Sequence, residues 1–539
     1  MTAQLLGELV AEAAVTDSSA PAVVDVDRTL DYGELNREVG QMAAALTELG
    51  VRPGDRVGVH LHKAALGTIA MHGAARAGAV GVPLDPASPA TRLSRICRSM
   101  DIDVAIAHPP KRASIEETHS LRPFRAVIGV PSPDDATPAI DLDDLAQFEP
   151  VDPIRVSEDS AAYVITTSGS TGEPKGIVHT HRSALAYVDM SNDLFGLVAS
   201  DRVADIAPHH FDISTHSLWA VPRAGAASVV IPEPHQRLPA SHSARLQTEG
   251  VTVWYSVPFL LQQLLLRGDL TNRDLGAIRW VHFGGELISP QVIADLMPFM
   301  PNSRFANLFG PAETNQCCVA VFDTAPDPER TLSIGTPCGT NRFRLTDLDA
   351  DEPSGADVVV GRPGDDAPTE GELWVASPTL MRGYWGRKEA DSSIVIDADG
   401  TRWYRTGDIV SVDHDRGDFT FHGRADNQVK LRGHRVELEG IEVDLEQLDH
   451  AESVIAAIHR PGDSEDSLVV GLIGTTGRFD RSEFVAGARS VLPPYLTPSQ
   501  IVHMNSKKLT GSGKLDRRAL RNDLLDQLAA DGRMEERDE

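Results

Sequence analysis

Thr166-Thr167-Ser168-Gly169-Ser170-Thr171-Gly172-Glu173-Pro174-Lys175-Gly176 is the stretch whose reading decides the fold. A short apolar run, Ala161 to Ile165, precedes it, and the Tyr, Val and Ile of that run suit a buried strand. Ile177-Val178-His179 follows as the return strand. The hydroxyls of Thr166, Thr167, Ser168, Ser170 and Thr171, with Gly169, Gly172, Gly176 and Lys175, therefore share one loop between strands. Glycines let backbone N–H groups approach a polyphosphate, and hydroxyls add donors. The stretch is not a Walker A loop, because Pro174-Lys175-Gly176 stands where Gly-Lys-Ser/Thr is required. Pro174 also forbids the helix that a Walker lysine starts. A flexible linker would need only the small polar residues, and its composition does not account for the terminal proline and lysine.

The bulk composition narrows the function. A chain of 539 residues has room for several cores, and 41% hydrophobic with 24% charged residues is ordinary for a globular protein. Fifty Lys+Arg against 78 Asp+Glu give a net charge of −28, which disfavours nucleic acid and anionic membranes as partners. Four cysteines (Cys97, Cys317, Cys318, Cys338) make no disulfide framework, and the adjacent Cys317-Cys318 lacks metal-site spacing. No signal segment opens the chain and charges, Gly or Pro interrupt every apolar run, so a cytoplasmic protein is expected.

Upstream of the loop, Asp31-Tyr32-Gly33-Glu34-Leu35 leads into a helical pattern that Gly50 closes, followed by the turn Arg52-Pro53-Gly54-Asp55 and a strand from Arg56 to Leu61. Downstream, Val251 to Leu266 reads as a strand and then, after Pro258, a helix; Arg279 to Phe283 is a strand opening onto Gly284-Gly285-Glu286; and Arg304 to Leu308 ends in the turn Phe309-Gly310-Pro311. This alternation predicts an α/β large N-terminal domain of layered sheets and helices over residues 1–425, with ligands collecting at the carboxyl ends of its strands. A smaller α+β C-terminal domain is expected over 426–522, and a charged tail that frays over 523–539.

The loop, taken with motifs spread over nearly the whole chain, resembles the phosphate-binding signature of the adenylate-forming superfamily: acyl-CoA synthetases, luciferases and the adenylation domains of nonribosomal peptide synthetases. Asn307-Leu308-Phe309-Gly310-Pro311-Ala312-Glu313-Thr314 is similar to that family's adenine and magnesium motif. Phe309 offers a face to a purine and Glu313 a hard oxygen to Mg²⁺. Ala312 stands where the family usually has threonine. Tyr404-Arg405-Thr406-Gly407-Asp408 is similar to the ribose motif, with Asp408 accepting from the hydroxyls, and Arg424 resembles the arginine that reaches the nucleotide. Asp426 matches the hinge of a mobile C-terminal lid, and Gly433 the loop of the thioester-forming state, where a missing Cβ lets a pantetheine arm pass. Thr510-Gly511-Ser512-Gly513-Lys514 resembles the terminal motif, with Ser512 in place of asparagine. The resemblance implies Lys514, Glu313 and Thr167 as catalytic residues, Mg²⁺ on Glu313 with Thr167 as a second ligand, and Gly284, Gly285 and Glu286 beside the ATP. It also implies that a carboxylate displaces pyrophosphate from ATP and that a thiol then takes the acyl group.

Asp212, in His210-Phe211-Asp212-Ile213-Ser214, selects among carboxylates. In amino-acid-activating members an aspartate in this register binds the α-ammonium, since a buried cation requires a carboxylate partner; a helix N-cap is the structural alternative. By the same register Ile213, His216, Tyr255, His282, Gly284, Leu308, Gln316, Cys317 and Lys514 line the substrate site. The three residues His216, His282 and Gln316 add hydrogen-bonding capacity to an otherwise apolar cavity, which suggests a small or medium polar amino acid or a proline analogue. No carrier segment is recognised after Lys514, so the implied acceptor is the phosphopantetheine of a separate carrier protein, with a small MbtH-like activator as a further partner. The alternatives are an acyl- or aryl-CoA synthetase and a non-catalytic nucleotide-binding scaffold.

Overall fold

Asp31 starts the first long helix, Tyr32–Glu48: its carboxylate accepts the Glu34 amide while the Glu34 carboxylate accepts the Asp31 amide. This reciprocal box satisfies two donors that the helix itself leaves unpaired. Leu49 caps the other end and Gly50 follows at φ +75°, a left-handed conformation that favours glycine.

The structure, a computed structural model, describes residues 3–535 apart from 168, 170–172, 349–352, 354–356, 359–368, 387–392, 415, 427, 433, 449, 461–465, 476–478, 505–506 and 509–514. The chain divides into two units that interleave in sequence. One comprises Met1–Pro86, Met100–Thr166 and Gly176–Asp426; the other comprises Ala87–Ser99, Thr167–Lys175 and Asn427–Glu539.

In the larger unit, Arg202–Asp205, Val253–Ser256, Trp280–Gly284 and Arg304–Phe309 lie side by side and parallel within a nine-stranded sheet, and Cys318–Phe322 returns antiparallel on the last of them. Their near-continuous burial, unbroken across Trp280–Gly284, is what a parallel sheet covered on both faces produces. A second sheet sets Arg56–His60 between Val80–Pro83 and Ile102–Ala107, all parallel, and continues through Ala161–Thr167 to Lys175–Thr180. A third joins Arg342–Thr346, Glu370–Ala376, Arg402–Asp413, Ile394–Ile396 and Asp418–Arg424. The helix Ala65–Arg76 is buried along almost its whole length, which its Ala and Gly content permits; a Cβ on Gly67 would fall 2.1 Å from the His209 ring.

The smaller unit carries a two-stranded ribbon, Gln428–Leu431 with His434–Glu437, and a three-stranded sheet, Ala451–His459, Ser467–Thr475 and Gln500–Met504. The fully buried Glu442 carboxylate binds Arg517 Nε at 2.6 Å and Arg521 Nη2 at 2.9 Å, so the charge is paired and hydrogen-bonded as burial demands. One expectation is corrected here. The helix Arg517–Glu535 runs through the position where a charged tail is expected to begin, because Leu520, Leu524 and Leu528 recur at four-residue spacing and bury against the three-stranded sheet. No described helix is long and apolar enough to cross a membrane.

Candidate active site

Ala161–Thr167 brings Thr166 and Thr167, both half-buried, to the end of its strand, and Lys175–Thr180 leaves the loop beside it. Within the loop Gly169 is required by close approach: a Cβ there would lie 2.2 Å from the Glu173 carbonyl oxygen. Lys175, read from the sequence as a phosphate-side charge, has its ammonium 3.6 Å from Glu437 Oε1. Ser168, Ser170, Thr171, Gly172, Gly433 and Lys514 lie outside the described residues.

The return strand also anchors the next motif. His179 is buried, stacks on Tyr163 at 5.1 Å, and donates from Nε2 to the Ala312 carbonyl at 2.9 Å. Burial holds its pKa down at about 4, so the ring is neutral and Nε2 carries the proton. Ala312 thus contributes its backbone where a threonine would add a hydroxyl. Gly310 turns the chain after Arg304–Phe309; a Cβ on it would fall 1.9 Å from the Asn315 carbonyl oxygen. The turn buries Glu313 to 1% exposure, where Tyr384 Oη donates to Oε1 at 2.7 Å and the Met381 amide donates to the Glu313 carbonyl at 2.7 Å. Thr314 bonds back to the Pro311 carbonyl at 3.3 Å. Phe309 is half-buried with its ring 5.9 Å from Phe421. The Asn307 amide is engaged structurally, donating to the Ser333 carbonyl at 2.9 Å.

Asp408, 5% exposed, accepts Arg424 Nη1 at 2.6 Å. The same guanidinium grips both oxygens of Asp426 at 2.7 and 2.6 Å, and donates to the Thr406 carbonyl at 3.0 Å. One planar fork therefore ties the ribose candidate to the hinge candidate. Gly407, at φ +74°, lets the strand bend between them.

Asp212 follows Arg202–Asp205, whose last residue forms a buried ion pair with Lys63. Lys63 also reaches His209 Nδ1 at 3.5 Å, so the loop 206–212 is pinned at its root. Asp212 is half-buried, and its Oδ1 accepts the Ile213 amide at 2.9 Å. Burial, first, and then neighbouring negative charge that includes Asp212 raise the phenols of Tyr163 and Tyr255 well above the ordinary value. Asp212 also adds to the upward shift of Tyr187, whose main cause is burial. The Asp212 charge thus acts on three tyrosines. Immediately after, His216–Ala220 is a π-helical turn, a rare geometry concentrated at functional sites. It presents His216 to Tyr255 at 5.6 Å and to His282 at 5.8 Å, with Tyr255 and His282 5.7 Å apart; the three rings stand at 81°, 90° and 82° to one another. Tyr255 and His282 are register partners on adjacent strands, as are Gly284 and Leu308. Gly284 owes its identity to that pairing, since a Cβ would lie 2.2 Å from the Leu308 carbonyl oxygen; Gly285 follows at φ +96° and Glu286 is half-buried. Leu308 and Cys317 are buried, and the Cys317 thiol meets the Phe309 carbonyl at 3.4 Å.

Sequence reading missed Tyr384, Lys63 and the anchoring role of His179. Only the lysine carries a local signal, a charge in the segment after an apolar strand; the others act through partners 71 and 133 residues away.

The AMP-binding enzyme family matches residues 10–385, and the chain belongs to that family. Its enzymes use ATP. Among relatives, an L-proline–[L-prolyl-carrier protein] ligase of Pseudomonas fluorescens is 31% identical over 93% of this chain and 95% of its own length. Phenyloxazoline synthase MbtB of a Mycobacterium species is 32% identical over 95% of this chain, which spans only 41% of that protein. The amide bond synthetase McbA of Marinactinospora thermotolerans shares the fold, with a TM-score of 0.81 at 22% identity over 96% of this chain and 99% of its own.

Proposed function

We propose that this protein is an AMP-forming ligase that activates an amino acid as its aminoacyl adenylate and passes it to the phosphopantetheine thiol of a separate carrier protein. The observation that carries the reading is Asp212, a half-buried carboxylate whose charge acts on the phenols of Tyr163, Tyr187 and Tyr255. A desolvated carboxylate in that position is the natural partner of an α-ammonium, and neither an acyl- nor an aryl-CoA synthetase needs one. The match in length and sequence to a proline–carrier-protein ligase supports the same class.

In this reading the substrate carboxylate attacks the α-phosphorus of ATP in line, and pyrophosphate leaves. Such displacement depends on positioning and charge neutralisation more than on acid–base groups. Asp408 accepts the ribose hydroxyls, and Arg424 holds Asp408 in orientation. Phe309 flanks the base, and the hydroxyls of Thr166 and Thr167 with the loop amides receive the departing phosphates. Glu313, with Thr167 as a second ligand, would hold an Mg²⁺ bound together with ATP, and the ion would supply neutralisation of phosphate charge; a hard cation of this kind needs only one or two protein carboxylates. Lys514 is the proposed cation between substrate carboxylate and α-phosphate. Residues 1–425 and 426–522 are the proposed catalytic core and lid, with Asp426 as hinge and Gly433 serving the thioester step. The amino acid is small or medium and polar, or a proline analogue, and the reaction is cytoplasmic.

ATP–pyrophosphate exchange with a panel of amino acids and simple carboxylic acids, run with and without a small MbtH-like activating protein, tests the reading. Exchange is expected with an amino acid and should fall at least about 100-fold in Asp212→Ala, the scale of losing a charged partner. Exchange confined to acids without an α-amino group would refute it.

A further inference from the structure

The buried polar atoms around the three-ring cluster go further than the class of enzyme. Among the described residues, His282 is the only histidine with both ring nitrogens buried and unpartnered, and Gln316 the only side-chain amide with both its nitrogen and oxygen so. His216 adds an unpartnered Nδ1. The His216 and His282 rings stand edge to face with their centroids 5.8 Å apart. Gln316 borders the same region through its backbone: its main-chain carbonyl accepts Cys338 Sγ at 3.7 Å, and Cys338 packs in one cluster with Leu308, Trp280 and Tyr255. Trp280 and Phe195 of that cluster lie 5.6 and 4.0 Å from the His282 ring.

An unpaired buried polar group costs about 1–3 kcal/mol, and native interiors satisfy nearly all of them. Three such atoms on the facing His216 and His282 rings, and two on Gln316 at the edge of the same cluster, are therefore a complement that a ligand would satisfy. The chemistry of that complement is mixed. Whichever tautomer His282 adopts, it offers one N–H and one lone pair, and Gln316 offers two N–H and one carbonyl oxygen. A hydrocarbon side chain would leave all of them unpaired. A carboxylate, being acceptor only, or an ammonium, being donor only, would satisfy half. Neither charge finds a counter-ion on these three residues.

We infer that the side chain selected by His216, His282 and Gln316 is uncharged and both donates and accepts hydrogen bonds, a carboxamide of the asparagine or glutamine kind. The inference rests on the amino-acid-activating reading and narrows its substrate. Burial, which holds His216 near pKa 4 and His282 well below the ordinary value, agrees with a pocket that stays neutral at physiological pH.

The test compares isosteres in wild-type enzyme by ATP–pyrophosphate exchange at pH 7.5: asparagine and glutamine, the corresponding acids aspartate and glutamate, and the hydrocarbon isosteres leucine and norvaline. A site built to hydrogen-bond a substrate rejects the analogue lacking the group by up to about 10⁴–10⁵-fold; kcat/KM for a carboxamide is expected to exceed both its acid and its hydrocarbon isostere at least about 100-fold. Gln316→Leu should close at least about 10-fold of the gap to the hydrocarbon while leaving the KM for ATP unchanged. Equal or better use of the hydrocarbons would overturn the inference and leave amino-acid activation standing. Preference for the acids would overturn it in favour of an anion bound by protonated imidazole. Exchange with no amino acid at all would overturn both readings.

Discussion

Glu313 is a carboxylate at 1% exposure, and the donor given to its Oε1 is a neutral phenol, Tyr384, 71 residues further along the chain. A buried anion held by a hydrogen bond keeps one orientation, which a residue meeting a cation on an arriving nucleotide requires. Tyr384→Phe removes that donor and keeps the ring. A hydrogen bond to a charged group is worth about 1.5–3 kcal/mol, so exchange should fall about 10- to 100-fold with a raised Mg²⁺ requirement and an unchanged KM for the amino acid. Titrating Mg²⁺ in the exchange assay checks this; an unchanged Mg²⁺ dependence would leave Tyr384 as packing only. Glu313 itself was legible in the sequence, because the turn around it has a recognisable composition. Tyr384 was not, because nothing within its own neighbourhood, Arg382-Gly383-Tyr384, distinguishes a partner from any surface tyrosine.

At the level of elements, the motif turns are held by backbone geometry as much as by side chains. Gly310 ends the strand Arg304–Phe309 and passes so close to Asn315 that no Cβ fits, 1.9 Å from its carbonyl oxygen. Gly310→Ala must displace the segment that carries Glu313 and Gln316. Backbone overlap of this kind falls among the large destabilisations, more than about 2 kcal/mol, and exchange should be lost together with a lowered Tm by thermal unfolding. A variant with wild-type Tm and activity would show that the turn can relax. The strands themselves were readable from apolar runs: the expected segments from Val251 and from Arg279 became Val253–Ser256 and Trp280–Gly284. The π-helical turn at His216–Ala220 was not readable, since His-Ser-Leu-Trp-Ala suits an ordinary helix equally well.

On the scale of the molecule, the folded chain keeps many histidines neutral. Burial lowers His60 and His72 to about 3, and His179, His181, His216 and His242 to about 4. In the unfolded chain each titrates near 6.5, so below that pH the unfolded state binds more protons and stability falls with pH. Their contribution is complete above about pH 6.5 and is lost as pH drops toward 4, at about 1.4 kcal/mol per unit for each fully buried ring. Tm should therefore decline steadily from pH 7 to pH 5 in differential scanning fluorimetry; a flat profile over that range would contradict the burial of these rings.

The sequence alone carried the motifs whose family resemblance implied the reaction class, and the order of the elements around them. Glycine, hydroxyl and proline spacing in 166–176, the Gly-Pro turn before Glu313 and the Thr-Gly-Asp around Asp408 are short-range patterns, each dictated by what a tight backbone turn must contain. Tertiary structure decided what those residues face. Lys175 meets Glu437, Arg424 joins Asp408 to Asp426, Tyr384 holds Glu313, and His282 and Gln316 keep buried polar atoms unpaired. Each of these pairings or orphan groups depends on contacts between residues far apart in sequence, and single-chain patterns of spacing and periodicity carry no record of which distant side chains close the shell around a buried charge.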